Sequence, residues 1–126
     1  MISISQFGLI ILLSAFLLLH ICILIKIIPY NIVWAGRLKS DKEMYRFEII
    51  SLLINAFLLT VILVQANFLS IDLPQKAITY ILWLMALLFL LNTLGNAISK
   101  NKLEQKLFAP LTMLLTIFSI VLALKN

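Results

Sequence analysis

Residues 2 to 25 contain no charged side chain, and that run decides what kind of object the chain can be. As a helix, about 20 apolar residues at 1.5 Å each cross the ~30 Å hydrocarbon core of a bilayer. The run therefore predicts a membrane-spanning helix that ends near Lys26 and Pro29. A cleaved signal peptide would show a basic stretch before the apolar run and a small-x-small site after it. The sequence offers neither, so the segment reads as a permanent helix. Three further runs of the same kind place the spans at about 3–28, 44–66, 76–98 and 107–124.

The remaining composition excludes the soluble classes. Only 12% of residues are charged and 63% are hydrophobic, whereas about a quarter of a soluble domain is charged. Residues 1–126 predict one all-α domain, a bundle of four transmembrane helices, and no separate soluble domain fits between the spans. The net charge of +5 does not point to nucleic acid. The ten Lys and Arg residues sit at span ends and build no separate basic domain with interleaved aromatics. The only cysteine, Cys22, excludes an intrachain disulfide and paired-thiol chemistry, and the only histidine, His20, argues against a protein-built zinc site. No metal or other cofactor is implied.

Positive charge sets the expected orientation, because cytoplasmic loops carry the excess of Lys and Arg. Lys26, Arg37, Lys39, Lys42 and Arg46 flank the first loop, and Lys100, Lys102 and Lys106 the third; only Lys76 and Lys125 lie on the other side. Eight against two predicts both termini outside and the two basic loops in the cytoplasm. Tyr30, Trp34, Arg37 and Tyr45 are then interface anchors on the inner side, with Tyr80 and Trp83 nearer the outer one.

Local signals add three expectations. Asp72-Leu73-Pro74-Gln75 reads as an N-cap followed by proline in the first turn, which makes spans 2 and 3 an antiparallel hairpin. Pro110 either starts the membrane part of span 4 or kinks it. Residues 30 to 38 read as a short helix on the inner leaflet surface, with Ile32, Val33 and Leu38 toward lipid.

Polar residues inside the spans are the candidates for function. Glu48, Ser51 and Asn55 fall within one arc of a helical wheel. Asn92, Gly95, Asn96 and Ser99 share another, continued by Leu88, Met85 and Ile81. Span 4 has Gln105, Ala109, Thr112, Thr116, Ser119 and Ala123 on one small-residue face, and span 1 contributes His20. Counted from the span ends, these polar groups gather in the cytoplasmic half of the membrane, with Asn55 and Thr116 near the midplane. The expectation is a polar chamber at that end and a dry plug of Leu, Ile, Phe and Val at the other. Glu48, Asn55, Asn92, Asn96, His20, Ser51 and Thr112 are its predicted lining. Each has an ordinary reading beside this one. Amides, hydroxyls and small residues hold membrane helices together, and Glu48 can anchor a helix start by pairing with Arg46, Arg37 or Lys26.

The stretches PYNIVWAGRLKSDKEMYRFEIISLLIN and LNTLGNAISKNKLEQKLFAPLTMLL resemble a family of small four-span bacterial membrane proteins without assigned function. The resemblance rests on the W-A-G-R-L connector at Trp34 to Leu38, on M-Y-x-F-E at Met44 to Glu48 and on N-T-x-G-N at Asn92 to Asn96. It implies the fold and a bacterial inner membrane, and no activity. Three classes of function follow. The first is a protein that binds or conducts a small polar or cationic solute, or a proton, in its chamber. The second is an interaction subunit whose polar stripe meets a partner membrane protein. The third is an enzyme acting on a lipid-soluble substrate. No nucleophilic triad, phosphate loop or metal cluster supports the enzyme, which ranks last. A bundle this small also suggests a homo-oligomer, with the small-residue face of span 4 as one contact.

Overall fold

The computed structural model describes residues 3–27, 40–99 and 102–126. Within them lie four helices: α1 (Ile4–Leu24), α2 (Asp41–Gln65), α3 (Gln75–Ala97) and α4 (Ala109–Lys125). All four segments are long and apolar enough to cross a membrane, the fourth counted from Glu104, so the chain is an all-α, multi-pass bundle. The expected helix over 30–38, and with it Tyr30, Trp34 and Arg37, lies outside the described residues.

Polar residues fix the helix ends. Ser3 and Gln6 form a reciprocal capping box on α1, with Gln6 N–H donating to Ser3 Oγ at 3.2 Å and Ser3 N–H to Gln6 Oε1 at 2.8 Å. Ser40 caps α2 by accepting from Glu43 N–H. α1 and α2 both end in a Schellman arrangement, with a left-handed residue just past the cap: Lys26 at φ 65° and Asn67 at φ 66°. Asn suits that conformation, whereas Lys26 adopts it with a Cβ in the way.

The cap expected at Asp72 is a correction. α3 begins one residue after Pro74, which is itself the N-cap with extended backbone, and Asp72 lies exposed in the turn. Proline's fixed φ already supplies the extended entry, so no side-chain cap bond is made. Pro110 lies in the first turn of α4, the first of its two expected placements. The turn before it, Glu104–Phe108, widens to π-helical bonding, and Ala109 N–H donates to the Glu104 carbonyl. That wider turn absorbs the missing donor of proline.

α1 and α2 run antiparallel along their whole length, with Gln6 opposite Gln65, His20 opposite Glu48 and Lys26 opposite Asp41. α3 packs along α4, and α1 joins the two pairs by packing on α4. Gly8 permits that contact: a Cβ there would sit 2.3 Å from the ring of Phe118. α2 and α3, although consecutive, meet only sparsely.

The end away from the basic loops is filled by an apolar core that includes Leu9, Leu13, Ile62, Leu82 and Leu115, with Phe89 at its inner limit. It is not the wholly dry plug expected. A chain of uncharged amides closes it. Gln6 Nε2 donates to Gln65 Oε1 at 2.6 Å, Gln65 Nε2 donates to Asn126 Oδ1, and Asn126 Nδ2 donates to Thr79 Oγ1 at 2.8 Å. All four helices are thereby tied together. The side chains turned outward are apolar, as lipid requires, with Leu18, Leu53 and Leu84 about two-thirds exposed.

The small-residue face of α4 is a second correction. Ala109, Thr112, Thr116, Ser119 and Ala123 are buried within the chain, while Gln105 is exposed and donates to the Ala97 carbonyl. This face is used by α4's own neighbours, so self-association would need another surface.

Candidate functional site

At the basic end the bundle opens. A cavity of about 380 Å³ lies between α1, α2, α3 and the start of the fourth span. Its lining includes His20, Glu48, Ser51, Asn55, Asn92, Asn96 and Thr112, together with Gly95 and Glu104. Phe16, Leu88 and Phe89 separate it from the apolar core.

The antiparallel register of α1 on α2 builds the back wall. Lys26, at the end of α1, meets the start of α2 and pairs with Asp41 at 2.5 Å, lying also 5.9 Å from the Tyr45 ring. His20 lies six residues deeper, level with Glu48, and its Nδ1 bonds Glu48 Oε2. His20 is thus one partner of Glu48; Glu48 has a further interaction, and Arg37, one of the three candidates for a helix-start pair, lies outside the described residues. Its carboxylate is fully buried. A buried carboxylate is costly unless charge or hydrogen bonds offset its desolvation, and the bond to the His20 imidazole supplies part of that here.

Glu104 is the residue that the sequence reading missed. It is 3% exposed, lines the same cavity and lies in the π turn before Pro110. Flanking lysines at 102 and 106 gave it the look of a loop residue. The available signal was its four-residue spacing from Phe108 and Thr112, which puts all three on one helical face. Neither Glu48 nor Glu104 lacks a partner.

α3 presents a different face from the one expected. Because it packs on α4 rather than on α2, its buried row is Ile78, Leu82, Met85, Phe89 and Thr93. Thr93, not singled out from the sequence, sits in the seam with its hydroxyl 2.9 Å from that of Thr112. Asn92 is exposed at the cavity margin and Asn96 is half-buried. Neither side chain makes a hydrogen bond to any described residue. Asn55 Nδ2 donates to the Ser51 carbonyl at 2.8 Å. Gly95 faces space, since a Cβ there would meet nothing within 4 Å.

The wall thus combines two carboxylates, one imidazole and three amides with apolar rings below them. It can accept hydrogen bonds, donate them and favour positive charge. Among the described residues, no three His, Cys, Asp or Glu side chains gather to hold a metal ion. No family model, curated protein or solved structure matches the chain.

Proposed function

We propose that this small membrane protein binds a polar, positively charged solute in the chamber at its basic end, on the cytoplasmic side of a bacterial inner membrane. The side follows from the distribution of Lys and Arg. The observation that carries the reading is the pair of amides, Asn92 and Asn96, without hydrogen bonds to the described residues, beside two buried carboxylates. An amide left unsatisfied in a membrane costs several kcal/mol, on the order of 2 to 7. Asn92 is exposed and Asn96 half-buried, so both amides are open to water or a ligand, and the neighbouring carboxylates suit a cationic one. Beyond Phe89 the core is continuous, so this arrangement holds a solute rather than conducting it.

The test uses purified protein in phosphatidylcholine nanodiscs and a panel of small organic ammonium ions, read by thermal shift and equilibrium binding. Glu48→Gln keeps the shape and most hydrogen bonds while removing the charge; it should weaken ammonium binding at least tenfold. Gly95→Phe fills the chamber from a position with open space and should abolish binding without lowering the melting temperature. No binding by the wild type across the panel would leave the interaction-subunit reading in front.

A further inference from the structure

We infer that the chamber is entered sideways from the membrane, between α2 and α3, by an amphiphile whose amine head sits in the chamber and whose hydrocarbon chain lies in the slot. The inference rests on the reading of the chamber as a ligand site and names its ligand class. α2 leans on α1 and α3 on α4, and the two consecutive helices barely touch. The chamber's wall runs out through that gap: Ile50 and Ile54 of α2 and Leu91 of α3 line it, yet are 49%, 41% and 58% exposed. A residue that lines a cavity and is also exposed marks its mouth, and this mouth faces the hydrocarbon side of the bundle.

Polarity changes along the opening. The back wall carries Glu48, His20 and Glu104, whereas the mouth is mainly apolar, with Phe47, Ile50, Ile54 and Leu91 and a single amide, Asn92, at its margin. A solute arriving only from water would gain little from mainly apolar lips, but an alkyl chain would rest on them at no cost relative to lipid. Position along α2 agrees with this. Ile54 lies six residues past Glu48, about 9 Å further from the basic end, so a bound chain would run toward the midplane as a lipid chain does. The volume agrees too. At about 380 Å³ the chamber is near the small end of ligand pockets, suited to a head and its first carbons with the chain left outside. The two carboxylates and the imidazole in the described lining offer acceptors to the N–H groups of an ammonium head.

The experiment uses full-length protein in phosphatidylcholine nanodiscs and dodecylamine bearing a diazirine in mid-chain, with propylamine as the chainless competitor. After illumination, adducts mapped by mass spectrometry should concentrate on Ile50, Ile54 and Leu91, at least tenfold over Ile11 and Leu18 on the outward face of α1. Propylamine should suppress them. Ile54→Trp, or Leu91→Trp on the opposite lip, should reduce the adducts at least fivefold, whereas Ile11→Trp on the outward face of α1 should leave them unchanged. Adducts spread equally over both faces, with propylamine still bound in a Glu48-dependent way, would overturn lateral entry and leave the chamber reading standing. Slot adducts that propylamine does not suppress would overturn the placement of the head. Scattered adducts with no propylamine binding would remove both readings.

Discussion

At the end away from the basic loops, Gln6, Gln65, Asn126 and Thr79 hand hydrogen bonds from helix to helix over a core with almost no exposed side chain. At the basic end the same helices part, and Asn92 and Asn96 face a cavity without a bond to any described residue. Both ends contain amides, so polarity alone does not separate them. Partnering does. A partnered amide within a bundle fixes the geometry of its helices, while an unpartnered one spends stability that only water or a ligand can return. The two ends should therefore answer opposite substitutions with opposite signs.

The largest contrast is in aliphatic truncation. Leu115→Ala in the closed half should cost about 2 to 5 kcal/mol, because a fully buried side chain leaves a cavity behind. Leu91→Ala on the slot lip should stay within about 0.5 kcal/mol, as for other exposed positions. Reversible unfolding in mixed micelles measures both, and equal losses would break the comparison.

Next come the two glycines. Gly8→Ala drives a methyl into Phe118 and should cost about 1 to 3 kcal/mol. Gly95→Ala meets open space, so it belongs at the small end of this series and with the opposite sign. Between them falls Gln65→Leu. It strands the Gln6 amide and breaks the link to Asn126, at about 0.6 to 2 kcal/mol. A Gln65→Leu protein as stable as wild type would mean that the amide chain contributes nothing. Gly95→Ala should gain about 0.5 to 1 kcal/mol, since alanine restricts the unfolded backbone and favours the helix.

The comparison also explains what could be read from the sequence. The four spans were legible because a bilayer imposes a length on every apolar run, and few charges interrupt these. His20, Glu48, Ser51, Asn55, Asn92, Asn96 and Thr112 were legible as a group because each is polar at a depth where lipid excludes polarity; all seven line the same cavity. The partner choices were not legible. Which helix α3 packs on rotates Asn92 to the margin and Thr93 into the seam, and nothing local encodes that decision. Glu104 was hidden because charge near a span end has a sufficient explanation as topology. Gln6, Gln65 and Asn126 were overlooked for a related reason: single amides at helix ends read as interfacial until the register of α1 on α2 brings them together.

On the proposed reading, the amides of the basic end serve a ligand and not the fold. Replacing Asn92 and Asn96 together by leucine tests it most directly, with melting temperature and propylammonium binding measured on the same nanodisc preparation. An unchanged or higher melting temperature is expected, because unpartnered amides give way to side chains that suit lipid, together with at least a tenfold loss of binding. A melting temperature lowered by several degrees with binding intact would show that the amides hold the bundle together, and would contradict it.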